Sequence, residues 1–135
     1  REMGRTAAGV AAMKIAKGDR IVSADVLSKG VRDREVLVVT ENGYGKATPA
    51  KEYKVQKRAG SGIKTVKVTS KTGEVVAGII ISEEERKEGE LVIMSKKGQV
   101  IKLPLKQVPT LGRDTQGVKV MKMRPGDQIA SVVFV

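Results

Sequence analysis

Cysteine and histidine are both absent from this sequence of 135 residues. Without cysteine there is no disulfide framework and no thiolate metal site. Without histidine, His-bound metals and Ser-His-Asp or Cys-His catalysis are excluded as well. Aromatic side chains are limited to Tyr44, Tyr53 and Phe134, too few for the stacking platforms on which single-strand binders hold bases. No apolar run approaches the length of a membrane span, and no signal-peptide pattern is present. The sequence therefore nominates no catalytic residue, no metal site, no cofactor and no membrane partner, and a reducing, cytosolic setting fits it.

Negative charge is also scarce. Lys and Arg number 26 against 15 acids, a formal charge of +11, which favours solubility and attraction to polyanions without specifying a fold. The length suits one domain, 1–135, with a modest core.

What the chain does contain is repetition. "GRTAAGVAAMKI" (4–15), "KRAGSGIKTVKV" (57–68) and "GRDTQGVKVMKM" (112–123) share one pattern. Arg5, Arg58 and Arg113 lie 53 and 55 residues apart, and each is followed four residues later by Gly9, Gly62 or Gly117. Lys14, Lys67 and Lys122 then stand between apolar neighbours, the alternation of a half-buried strand. A second apolar stretch follows each copy, at 19–27, 74–82 and 127–135. Between the copies lies another pair, "EVLVVTENGYGKAT" (35–48) and "ELVIMSKKGQVIKL" (90–103), whose Gly43 and Gly98 keep the 55-residue step. Asn42-Gly43 suits the type I′ turn of a tight hairpin, and Lys97-Gly98 takes its place less ideally.

The order reads as hairpin A, hairpin B, A, B, A. The repeats run over about 4–57 and 58–111, with a partial copy at 112–135. Some four strands per repeat of roughly fifty residues describe an all-β, propeller-like stack of blades. Strands are expected at 10–15, 20–26, 36–41, 45–48, 64–69, 74–81, 90–95, 99–103, 118–123 and 128–134. "SEEERKEG" (82–89) has capping-box spacing at Ser82 and Glu85, and reads equally as a short helix or a charged loop. Its counterpart at 28–35 contains nothing helical.

Basic charge recurs with the repeat. Residues 41–69 hold seven basic and two acidic side chains and residues 95–124 hold eight and one, whereas 83–90 hold two and five. Stacked blades with such stripes would offer a track for a phosphate backbone. Any one outward lysine is ordinarily a solvated, edge-protecting residue; the register of the three arginines favours nucleic acid collectively. Arg-x-x-x-Gly leaves two readings open: a turn needing positive φ at the glycine, or a cradle of N–H groups and a guanidinium for phosphate. "GYGKAT" (43–48) is not a Walker loop, because Thr40 stands where glycine is needed and Ala47 where Ser or Thr is needed.

"TENGYGKATPAKEY" (40–53), "QKRAGSGIKTVKV" (56–68) and "GRDTQGVKVMKM" (112–123) together resemble the C-terminal domain of DNA gyrase A, over essentially the whole chain. The resemblance implies β-pinwheel blades of short antiparallel strands, about two and a half repeats of the family's six-bladed ring, with a basic rim that wraps duplex DNA and contributes to negative supercoiling. Among the basic side chains of such a rim, Arg5, Lys46, Lys57, Arg58, Lys102 and Arg113 are the expected DNA-binding residues. Lys46 matches the basic residue of the NGYGK hairpin, and Arg113 that of the GR-x-T-Q-G-V turn. "QKRAGSG" (56–62) is similar to the family's Q-R-R-G-G-K-G box, with Lys57, Ala59 and Ser61 in place of Arg, Gly and Lys. The implied partners are double-stranded DNA, the rest of gyrase A and its companion gyrase B, in the bacterial cytoplasm at the nucleoid. The breakage-reunion tyrosine and the ATPase would lie outside this sequence, so no activity of its own is expected.

Two alternatives compete: the equivalent C-terminal domain in topoisomerase IV, and a protein-interaction propeller whose basic rim is incidental. Scarce aromatics disfavour the second, because protein hot spots lean on Trp, Tyr and Arg. A chain of blades that does not close a ring is expected to leave strand edges open at 10–15 or 129–135, where "IASVVFV" is uncharged and rich in β-formers. Self-association through such edges is the expected outcome. Light scattering over a concentration series checks it, and a mass near 14.5 kDa throughout would refute it.

Overall fold

The computed structural model describes residues 1–31 and 33–135. Its ordered body is all-β apart from short helical turns. β1 (Arg34–Thr40) and β2 (Tyr44–Pro49) form a hairpin, followed by β3 (Val75–Ser82), the helix α1 (Glu83–Glu88), a second hairpin of β4 (Glu90–Ser95) and β5 (Val100–Pro104), the two-residue β6 (Val118–Lys119), and β7 (Ile129–Phe134). All pairings between these strands are antiparallel. One sheet has the order β3-β1-β2-β6 and the other β5-β4-β7. The helix reading of residues 82–89 holds: Ser82 Oγ accepts from the Glu85 N–H at 3.1 Å, and Glu85 Oε2 accepts from the Ser82 N–H at 2.6 Å.

Both B hairpins form as the sequence suggests, but the A copies are not hairpins. In no copy do the two halves pair with each other. In the last copy, β6 joins β2 in the first sheet while β7 joins β4 in the second. In the middle copy, β3 joins β1, whereas residues 64–69 form no strand and make one bridge, Val66 to Thr115. Each blade is thus completed by strands from later repeats. The correction has a physical origin: alternation reports that a segment is half-buried, and is silent about which strand it pairs with.

The same logic explains the first copy. Strands expected at 10–15 and 20–26 are absent; residues 1–30 are exposed throughout and add nothing to the core. Neither half finds a hairpin to join, so Val10, Ile21 and Val26 remain open to solvent. Toward the first sheet, the Asp25 carboxylate accepts the Ile80 N–H at 3.1 Å, covering part of the outer edge of β3. The stretch 129–135, expected as an open edge, is paired to β4 on one side. Its other side is the edge of that sheet, as expected, and a second open edge lies along β5, the counterpart of β2, which has no neighbour equivalent to β6 among the described residues.

Between the sheets lies a single core. Leu37, Val39, Ala47 and Ile81 from the first meet Leu91, Ile93, Leu103 and Ile129 from the second, with Leu105, Val108 and Met121 from the connections. Both hairpins turn in the same way. Gly43 (φ 84°) and Gly98 (φ 85°) take positive φ while the residues before them do not, and their N–H groups donate to Thr40 and Ser95 carbonyls at 3.1 Å. This is the three-residue loop with glycine alone in the left-handed region, not the type I′ turn expected at Asn42-Gly43. Lys97 therefore fits as well as Asn42.

The two glycines differ in surroundings. A Cβ on Gly43 would lie 2.3 Å from the Met121 carbonyl oxygen, whereas one on Gly98 meets open space. Gly98→Ala is expected to lose about 1 kcal/mol from backbone strain, and Gly43→Ala at least about 2 kcal/mol more from the displaced Met121 backbone. Urea midpoints of the two variants check this; equal losses would show the close approach to be irrelevant.

Candidate nucleic-acid interface

Strand β2 points Tyr44, Lys46 and Thr48 to one face, as a two-residue period requires. Residues 109–119 run along the outer edge of β2. They bond to Ala47 through the Pro109 carbonyl (2.9 Å) and the Leu111 N–H (2.8 Å), arch away through 112–117, and return as β6 beside Tyr44 and Gly45. Lys46 fills the arch. It is 1 % exposed, and its Nζ donates to the Gly112 carbonyl at 2.6 Å and to Thr115 Oγ1 at 2.9 Å. Thr48 Oγ1 donates to the Leu111 carbonyl at 2.8 Å. Burial pulls the Lys46 ammonium below the usual lysine range; Asp114 and Glu52 pull it back up, and Arg113 adds a smaller downward push. Lys46, expected on the DNA rim, is accordingly an internal strut that shapes the GRDTQG turn and has no surface left for phosphate.

Arg113 sits on the outside of that turn, half-buried. Its backbone N–H donates to Glu52 Oε2 at 3.2 Å and its Nη1 to the Lys64 carbonyl at 3.3 Å. One of its five side-chain donors is thereby used for positioning. Gly117 has φ 78°, and Gly62 and Gly9 match it at 75° and 82°, so the positive-φ reading of Arg-x-x-x-Gly holds in all three copies. Directly after Arg58 and Arg113, Ala59 and Asp114 are left-handed too, at φ 56° and 52°. Asp tolerates that region through local hydrogen bonding; alanine has no such recourse.

These turns are stacked by a repeated contact. The turn after Arg58 bridges in parallel to the preceding copy, Met13 to Gly60, with the Lys14 N–H donating to Gly60 at 2.9 Å and the Ala59 N–H to Ala12 at 3.0 Å. The turn after Arg113 does the same one repeat on: Val66 bridges Thr115, the Lys67 N–H donates to Thr115 at 3.1 Å and the Asp114 N–H to Thr65 at 3.0 Å. Tyr53 steadies this second contact through a hydroxyl hydrogen bond with Thr65. Arg58 and Arg113 therefore occupy equivalent places along one line of turns.

The remaining candidates scatter. Arg5, Lys57 and Arg58 are exposed. Lys102 lies apart on β5, and its Nζ is held by Glu90 Oε2 at 2.5 Å, which partly cancels its charge. Two lysines outside the expected set, Lys71 and Lys119, are brought together at Tyr44, each with Nζ 5.8 Å from the ring centre. A signal for the first was present: eight positions separate Lys67 from Val75, against seven from Lys14 to Ile21 and from Lys122 to Ile129. The extra residue lies in the loop that carries Lys71.

Repeated antiparallel blades completed by strands from later repeats, with glycine-bearing basic turns stacked in line, define a propeller-type domain. The family model described as "DNA gyrase C-terminal domain, beta-propeller" matches residues 1–28, 34–82 and 89–135, and the chain belongs to that family. It is 41 % identical over 135 residues to the DNA gyrase A protein of Thermotoga maritima and, over the same length, to that of Staphylococcus epidermidis. The match covers 100 % of this chain and only 16 % and 15 % of those relatives. A solved DNA gyrase A C-terminal domain superposes with a TM-score of 0.79 at 30 % identity, over 98 % of this chain and 43 % of that one. The C-terminal domain of a DNA topoisomerase IV gives 0.82 at 19 % identity, over 95 % and 38 %, a likeness of fold.

Lys46→Met is expected to lower stability by about 2 kcal/mol, since the Gly112 carbonyl and Thr115 Oγ1 both lose the charged donor inside the arch and the carbonyl keeps only the Thr115 hydroxyl, at 2.9 Å. The folded Lys46 titrates below its ordinary value of 10.5. Between the two values the unfolded chain holds the extra proton, so wild type gains stability relative to the variant as pH rises through that window. Denaturant titrations at several alkaline pH values check both. A Lys46→Met protein of unchanged stability would show the strut to be dispensable.

Proposed function

We propose that this chain is a duplex-DNA-binding and DNA-wrapping module of a type II topoisomerase of the gyrase A kind, which contributes to negative supercoiling. The observation that carries the reading is the repeated bridge, Met13 to Gly60 and Val66 to Thr115, which sets Arg58 and Arg113 in line on successive repeats. A row of guanidinium groups at the blade spacing engages backbone phosphates without reading bases. Net charge of +11 supplies the long-range attraction. Identity favours gyrase over topoisomerase IV, at 30 % against 19 % for the two solved domains.

The module acts by binding alone. Tyr44 is buried in β2 and the Tyr53 hydroxyl is engaged by Thr65, which suits structural rather than nucleophilic tyrosines. Strand cleavage and ATP hydrolysis are assigned to other parts of the enzyme, namely the rest of gyrase A and gyrase B. The DNA-contacting set is reduced from the sequence expectation to Arg5, Lys57, Arg58 and Arg113, with Lys102 secondary because of Glu90.

Binding of linear duplex DNA at several salt concentrations, with an acidic protein as control, tests the reading. Each true phosphate contact that Arg58→Ala/Arg113→Ala removes is expected to flatten the slope of log affinity against log salt by about 0.9. Unchanged affinity and slope would refute the assignment of these arginines to phosphate. Strong preference for one short base sequence would refute backbone-only recognition.

A further inference from the structure

Lys71 and Lys119 come from segments 48 residues apart, yet both ammonium groups stand at the Tyr44 ring. The hairpin turn places them. Asn42 Nδ2 donates to the Ser70 and Lys71 carbonyls at 3.2 and 3.1 Å, and its N–H donates to the Thr72 carbonyl at 3.0 Å. The Gly43 carbonyl accepts the Val120 and Met121 N–H groups at 2.8 and 3.2 Å, which fixes β6 so that Lys119 stands directly opposite Tyr44. Both lysines are exposed, and among the described residues neither forms an ion pair. Each is within cation–π range of the ring. The Glu41 carboxylate on the same loop accepts the Glu74 N–H at 2.9 Å and pairs with neither lysine, so the two like charges are left for an anion to balance.

The arrangement belongs to one blade. In the second sheet Gln99 occupies the position of Tyr44, as the registers Val39 to Gly45 and Met94 to Val100 show. The loop corresponding to Lys71 is a residue shorter and reads Arg124-Pro125-Gly126. We propose that Tyr44, Lys71 and Lys119 form a phosphate clamp in the first blade, which takes a backbone phosphodiester of duplex DNA. The clamp rests on the reading of the chain as a duplex-DNA binder and adds a contact point away from the arginine turns. Tyr44 is its platform: it holds the two stems apart, and the phosphate oxygens bridge the ammonium groups by charge-assisted hydrogen bonds.

Two measurements on the whole chain test it. In an NMR titration with inorganic pyrophosphate, the Tyr44 ring resonances are expected to shift and those of Tyr53 to stay in place, and Lys71→Gln/Lys119→Gln is expected to abolish the shift. With linear duplex DNA, the same double variant is expected to flatten the salt slope by about 0.9 for each lysine removed, while Lys71→Arg/Lys119→Arg keeps it. If wild type binds duplex and the glutamine variant retains both affinity and slope, the clamp is overturned and the DNA reading survives. If wild type binds no duplex, the DNA reading fails. The pyrophosphate titration then decides the clamp alone: no Tyr44 shift overturns it, and a shift that the glutamine variant lacks upholds it as an anion site.

Discussion

The bond between the Lys46 ammonium and the Gly112 carbonyl, 2.6 Å long, is the constraint on which the outer architecture depends. A buried charge is costly unless its hydrogen bonds are satisfied, so the arch over β2 is held in the shape that satisfies them. That shape sets the direction of the GRDTQG turn, and hence where Arg113 emerges. It also delivers β6 to Tyr44. One interior lysine thereby governs the placement of several exterior cations, although it meets no partner outside the protein.

Sharing of strands between repeats has a comparable reach. A blade built wholly from its own repeat could move independently of the next. Here β6 closes the first sheet and β7 the second, with nine residues between them, so the sheets are joined by covalent chain as well as by the Leu37–Leu91–Ile129 core. The parallel bridges between successive glycine turns tie neighbouring copies together at the rim. A polyanion lying along successive turns would meet groups whose spacing is fixed by backbone hydrogen bonds rather than by flexible side chains. Preorganisation of this kind reduces the ordering cost of binding.

The NGYGK stretch illustrates how one motif serves several ends. Asn42 ties down the loop that follows residue 69, Gly43 admits the Met121 backbone, Tyr44 supports two lysines, Gly45 leaves room for the Val120 side chain, and Lys46 fills the arch. A Cβ on Gly117 would stand 2.7 Å from the Gly45 oxygen. The close approach of the 109–121 segment to β2 is therefore written in two glycines from different repeats. It is a backbone-to-backbone fit, which tolerates no added carbon on the Gly117 side.

The repeat, the all-β class and both B hairpins are legible in the sequence, whereas positive φ at Gly9, Gly62 and Gly117 and a helix capped by Ser82 and Glu85 are each one of two readings that the residues leave open. All of these rest on local stereochemistry and on the two-residue period, which neighbours in sequence largely specify. Only the tertiary contacts settle that the last A copy splits between sheets, that residues 64–69 and 1–30 form no strand, and that Lys46 turns inward while Lys71 and Lys119 converge on Tyr44. A lysine's place in an alternating strand states which face it occupies, and whether that face is rim or interior depends on a segment more than sixty residues away. Pairing partners and burial are non-local quantities, and a pattern of short period carries no record of them.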